Sequence, residues 1–127
     1  MDDTSETRRV ATDYVDSLER RDWERFATLL AEDVVYEMPQ TRERIRGRAG
    51  YLRFNVEYPG DWHLTTRRVV ADGRFAALWL DVRVGAETMD ACVWLDLDEH
   101  GLVRRITDFW PEAYEPPAGR EHLVERW

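Results

Sequence analysis

The chain has 127 residues, 43% of them hydrophobic, which suits one core and is too little for two ordinary domains. Its 26 acidic and 18 basic residues leave a formal net charge of -8, the wrong sign for a surface that condenses on nucleic-acid phosphates or anionic lipid. No apolar run approaches the roughly 20 residues that span a bilayer, and the opening MDDTSETRR is acidic where a signal peptide is basic and then apolar. A cytoplasmic protein with no membrane or nucleic-acid partner is therefore expected.

From Glu6 to Arg20 the apolar spacing Val10, Ala11, Tyr14, Val15 and Leu18 gives one face of a helix, with Thr4 or Ser5 available to start it. Asp22 caps a shorter second helix carrying Trp23, Phe26, Leu29 and Leu30, and Glu32-Asp33 leads into a strand from Val34 to Met38 that Pro39 closes. The run Arg42, Arg44, Arg46 and Arg48, interrupted by Glu43, reads as a solvated loop. Gly47 introduces a third helix over Arg48 to Glu57, punctuated by Pro59-Gly60.

The period then changes from helical to alternating, and Trp62 to Val70, Phe75 to Val84, Thr88 to Leu97 and Leu102 to Trp110 read as four strands. Asp72-Gly73, Gly85-Ala86 and Glu99-His100-Gly101 are their turns, so an antiparallel meander is expected, with the three helices against it. Pro111, Pro116 and Pro117 end the sheet and leave Glu112 to Trp127 as a tail that wraps the domain or a partner. Both faces of the central strands carry apolar residues. The helices cover one face; Leu78, Leu80, Val82 and Trp94 are assigned to the other, where a homodimer would hide them. The lone Cys92 forms no internal disulfide and reads as a buried structural cysteine.

This order of elements, with Asp13-Tyr14-Val15-Asp16, Trp23, the run from Glu32 to Pro39, Gly47-Arg48, Asp72-Gly73 and the run from Asp98 to Trp110, resembles the nuclear-transport-factor-2-like superfamily. The likeness is greatest to its ketosteroid-isomerase-like and polyketide-cyclase-like branches and covers nearly the whole chain. It implies an α+β fold, a cone-shaped domain over residues 1–127, with three helices on a curved mixed or mainly antiparallel sheet and a packing tail at 112–127. The superfamily holds isomerases, cyclases, dehydratases, hydrolases and non-catalytic binding proteins, so the resemblance does not name a substrate.

In the steroid-isomerase branch the oxyanion tyrosine corresponds to Tyr14, but the general-base position before the strand-ending proline holds Met38, whose thioether cannot take a carbon-bound proton. The second oxyanion acid falls near Val93, which has no proton to offer. The cyclase-like branch uses an acid deep in the pocket, and Asp108 is the candidate here, since it shares strand parity with Ile106 and Trp110. Asp81, on the face of Trp79, and His63, at the start of the meander, are further candidates for proton transfer, with Tyr14 donating to a carbonyl oxygen.

Tyr36, Met38, Tyr51, Phe54, Trp79, Val93, Ile106 and Trp110 are expected to line an apolar cavity, with Asn55 at its mouth, suited to a flat aromatic or polycyclic ligand. His63, His100 and His122 are too far apart for a metal framework, and the glycines punctuate elements rather than build a phosphate loop, so no metal or cofactor is expected. The leading expectation is a cyclase-like or isomerase-like proton-transfer enzyme acting on a hydrophobic carbonyl compound. The alternative is a non-catalytic small-molecule-binding or structural dimeric protein of the same fold.

Overall fold

Asp2 accepts a hydrogen bond from the Ser5 amide at 2.8 Å and so caps a helix, α1 (Asp3–Glu19), that begins three residues before the expected start. The computed structural model describes residues 2–127. Asp22 caps the short α2 (Trp23–Thr28) as the sequence suggests. The chain then enters β1 (Leu30–Met38), four residues earlier than expected. Leu29 ends α2 as its helical C-cap and Leu30 begins the strand, where the Leu29 carbonyl accepts from Val103 and Leu30 pairs with Val103 across the sheet. The predicted arginine loop is a strand, β2 (Glu43–Arg46), antiparallel to β1. Its alternation was hidden by charge, since Glu37 of β1 pairs with Arg44 of β2 where an apolar pair would have shown a period. Gly47, at φ +94°, turns the chain from β2 into α3 (Arg48–Val56), a conformation that costs a side-chain-bearing residue.

Four strands follow: β3 (Trp62–Asp72), β4 (Phe75–Val84), β5 (Glu87–Leu97) and β6 (Val103–Phe109). They join the first two in one open six-stranded sheet of order β2-β1-β6-β5-β4-β3, antiparallel throughout except for the parallel pair β1 and β6. The fold is thus the α+β arrangement expected, with a mixed sheet. Extra residues in β3, between Thr66 and Arg68, and in β6, between Val103 and Arg105, break the alternation locally, the kind of irregularity that bends a sheet into a cone. No helix is long and apolar enough to cross a membrane among the described residues.

The helices lie on the face that carries Leu78, Leu80, Val82, Val93 and Leu95, all at most 4% exposed. The face assignment made for β4 from sequence is therefore inverted. Leu78 pairs with Val93 and Val93 with Asp108, so these three share one side, whereas Trp79, Cys92 and Phe109 form the next row and share the other. Trp79 and Trp94 are 43% and 46% exposed there, and Cys92 is half-buried between its strand neighbours rather than in the core. The tail after Trp110 contains only a 3-10 turn (Glu121–Leu123) and does not wrap its own domain, for Tyr114, Leu123 and Trp127 are all largely exposed.

α2 contributes one fully buried side chain, Phe26, and that ring is wedged between Tyr14 of α1 at 5.3 Å and Tyr51 of α3 at 5.8 Å. At the far end of α1, Glu19 accepts from the Leu64 amide at 2.8 Å and meets His63 Nδ1 at 2.9 Å, while His63 Nε2 lies 2.9 Å from Asp61. Arg21 stacks on Trp62 at 3.3 Å and donates to its carbonyl, closing the join between α1 and β3.

Truncating Phe26 to Ala removes a buried ring from that junction and should lower the unfolding free energy by about 3–5 kcal/mol, read from urea denaturation. A second expectation concerns pH. The hydrogen bonds that His63 makes to Glu19 and then to Asp61 raise its pKa above 6.5, against a smaller opposing effect of desolvation. A raised folded-state value means that the stabilisation is complete below about pH 6.5 and fades as pH rises through the folded value. His63→Gln should therefore lower the urea midpoint more at about pH 5.5 than at about pH 9, and equal losses at both would remove the charge argument.

Candidate functional site

Asp108 points inward from β6 because it shares the core side with Ile106, two residues before it; Val103 joins that side only across the irregularity between Val103 and Arg105. Its neighbours are set by register: Val93 of β5 lies opposite on one flank, and Tyr36 of β1, paired with Ile106 two residues before Asp108, lies on the other. The Tyr36 hydroxyl donates to Asp108 Oδ2 at 2.7 Å. Asp108 Oδ1 has no partner, nor has the indole N–H of Trp110, which stands nearby outside hydrogen-bonding geometry.

The Tyr36 ring stacks on Tyr51 at 4.8 Å, and the Tyr51 hydroxyl shares a short hydrogen bond with that of Tyr14. Three phenols from α1, β1 and α3 thus converge around one carboxyl group. Together they form the polar end of a cavity of about 300 Å³ whose walls are largely apolar, including Leu18, Trp62, Leu64, Leu80, Val82 and Met89. Tyr58, Asn55 and the exposed Glu87 sit toward its opening. The Asn55 amide is not free to swing, for it donates to the Tyr51 carbonyl one turn back at 2.9 Å.

Burial dominates the acid–base behaviour of this cluster. Desolvation lifts the Asp108 carboxyl above its ordinary 3.8, and the Tyr36 hydroxyl and the Trp110 indole pull it part of the way back. Burial also drives Tyr14, Tyr36 and Tyr51 well above the usual phenol value, aided for each by the nearby Asp108 charge. All three are neutral hydrogen-bond donors at any working pH. In the Tyr14–Tyr51 pair one hydroxyl proton is used between the two oxygens, which leaves the other for a ligand.

Of the residues expected from sequence, Tyr14, Tyr36, Tyr51, Phe54, Asn55, Val93, Asp108 and Trp110 meet at this cavity. Five do not. Trp79 and Asp81 lie on the outer face of β4, where the Trp79 indole donates to Asp90 at 2.9 Å and Arg67 approaches Asp81 at 3.6 Å. His63 is engaged with Glu19 and Asp61 outside the cavity. Ile106 is fully buried in the core beneath Asp108, and Met38 packs against the core without lining the cavity. Trp62, Leu80, Val82 and Glu87 were missed, although fixing Val93 inward would have placed Leu78, Leu80 and Val82 inward with it through the β4–β5 register.

The model of the SnoaL-like domain family matches residues 11–106. A protein from Kribbella flavida DSM 17836, whose crystal structure carries the name "putative ketosteroid isomerase", is 61% identical over 100% of this chain and 93% of its own, with a TM-score of 0.97. An "NTF-2 like protein of unknown function" from Burkholderia xenovorans LB400 superposes with a TM-score of 0.83 at 17% identity, covering 98% of each chain. A "putative polyketide cyclase" from Xanthomonas campestris pv. campestris gives 0.69 at 18% identity, over 86% of this chain and 93% of its own, and like the Burkholderia protein it speaks to fold alone. No curated protein matches. On the family match and the shared architecture, this chain belongs to the SnoaL-like domain family, within the nuclear-transport-factor-2-like fold.

Proposed function

We propose that this protein is a proton-transfer enzyme of isomerase-like or cyclase-like type acting on an aromatic or polycyclic carbonyl compound, with Asp108 moving the proton. The observation that carries the reading is the buried Asp108 carboxyl, held through one oxygen by Tyr36 while it lines a cavity shared with the Tyr14–Tyr51 pair. As a carboxylate, Asp108 takes a proton from the carbon next to a ligand carbonyl, and the electron pair of that C–H bond moves into an enolate. The spare phenol proton of the Tyr14–Tyr51 pair donates to the enolate oxygen. Return of the proton to another carbon completes an isomerisation; attack of the enolate carbon on a second carbonyl, with Asp108 giving its proton to the alkoxide so formed, completes a ring closure.

Ketosteroid isomerisation, the activity in the name of the 61%-identical Kribbella protein, is a proton transfer next to a carbonyl of this kind. The steroid version is the weaker fit, because Met38 stands where its base belongs and Val93 where its second acid belongs. Met38 is also the observation that favours a second reading, a pocket protein that binds the same class of compound without turning it over.

Dimerisation belongs to the same proposal. Trp94 contacts Phe75 at 5.4 Å and Phe109 at 6.3 Å on the outer face, and with Trp79 these rings form an exposed apolar patch that an isologous sheet-to-sheet contact would cover.

Asp108→Asn should lower kcat on a panel of enolisable cyclic ketones by about 10²–10⁴-fold, with binding of the same compounds retained. The wild-type rate should fall as pH drops, with its acid limb above 3.8 because burial raises this carboxyl; loss of rate only as pH rises would instead make protonated Asp108 a donor. Binding with no turnover across the panel would support the pocket-protein reading. For the assembly, light scattering behind size exclusion should give the mass of two chains for wild type and a concentration-dependent fall toward one chain for Trp94→Ser.

A further inference from the structure

Two charged side chains line the cavity, Asp108 deep inside and Glu87 toward the opening, and both are acids. Among the described residues, none of the 18 basic residues, all of them arginine, lines it. Of the arginines next to lining residues in the chain, Arg83, between Val82 and Val84, falls on the outer side of β4, and Arg53, beside Phe54, is paired with Glu57. Arg21, stacked on Trp62, is fixed by the carbonyls of Leu18, Glu19 and Trp62; Arg25 is held by Asp13 and Asp16, and Arg44 and Arg105 by Glu37.

Resting on the proton-transfer reading above, we infer that the cavity selects its ligand by charge: it takes an uncharged or cationic aromatic compound and excludes carboxylates and phosphates, with Glu87 setting the choice at the opening and Asp108 at depth. An anionic ligand would leave its hydration shell for apolar walls with no cation to pair with, and would face an acid at each end. The donors present, a spare phenol proton and the Trp110 indole N–H, suit a carbonyl oxygen or the charge that develops on it.

The proton-transfer chemistry itself points the same way. When Asp108 takes a proton from a neutral ketone, one negative charge passes from carboxylate to enolate and the total in the cavity stays constant. A ligand with its own carboxylate adds a second charge. The cavity can then hold it only by keeping Asp108 protonated, which removes the base. Substrate acids must accordingly be absent or masked before entry, so the reaction that supplies this substrate ends on a ketone, phenol, ester or amide. An aromatic cation instead meets two carboxyl groups of opposite charge, Asp108 and Glu87, in the same cavity.

Three probes on one frame, acetonaphthone, naphthoate and naphthylmethylammonium, separate charge sign from desolvation when titrated calorimetrically into the full chain at fixed ionic strength and neutral pH. Naphthoate is expected to bind at least about tenfold more weakly than the ketone, with naphthylmethylammonium binding more tightly than naphthoate. Glu87→Gln, an exposed substitution, should narrow the gap between naphthoate and ketone, and Asp108→Asn should narrow it further. Naphthoate binding as tightly as the ketone, equal losses for both ions, or a gap unchanged in both variants would each overturn the assignment while leaving the proton-transfer reading intact. Failure of all three probes to bind would overturn the open cavity and this inference with it, whereas absence of turnover on ketones that bind would sink only the catalytic reading.

Discussion

A carboxyl group kept from water must either be matched by hydrogen bonds or give up its charge, and Asp108 is placed between those limits. Tyr36 supplies one bond, and it can do so only because β1 runs parallel to β6 in a register that sets Tyr36 beside Ile106. Tyr36 is in turn held by stacking on Tyr51, Tyr51 by its bond to Tyr14, and both Tyr14 and Tyr51 by the ring of Phe26. Each helix therefore contributes one aromatic side chain to the same chain of contacts. α2, six residues long and too short to be stable by itself, has its place in the fold as the carrier of that wedge.

The parts of this arrangement that are repeated along the chain were legible in the sequence. The helical face of α1, the three turns of the meander and the inward parity of Asp108 each rest on several residues that agree. What misled was size. Trp79 was placed in the cone and Leu78, Leu80 and Val82 outside it, because a large aromatic ring suggests burial, yet parity within a strand fixes only which residues share a side. The choice of side belongs to the neighbouring strand, and the pairing of Leu78 with Val93 and of Val93 with Asp108 decides it. β2 was hidden for a different reason: its pairing with β1 is made by Glu37 and Arg44, which leave no apolar period to read. His63 was singled out for its titration range, but the side chains that claim it, Glu19 and Asp61, come from different segments, and one of them lies 44 residues away.

Charge is sorted by the same topology. Several arginines are held at the surface by carboxylates of neighbouring segments, Arg25 between Asp13 and Asp16 and both Arg44 and Arg105 on Glu37. Such exposed pairs contribute little stability one by one. Their effect on the site is spatial, since a guanidinium engaged at the surface cannot neutralise Asp108. Had one reached the cavity, the carboxyl would have been held low rather than raised, and a weak base would have replaced a stronger one.

That difference bears on what the site can do. The proton next to a ketone is held far more tightly than a carboxylate in water can draw it, so a base for this task gains from being desolvated, and the enolate gains from donors that need no rearrangement when charge arrives. In the proposed reaction Asp108 and the Tyr14–Tyr51 pair would serve these ends by the same means, burial, which raises the carboxyl and keeps the phenols protonated together. Opening the site to water would weaken both at once. The apolar walls are thus part of the acid–base chemistry as well as of ligand fit, and the cone must exclude solvent for either half of the proposed reaction to proceed.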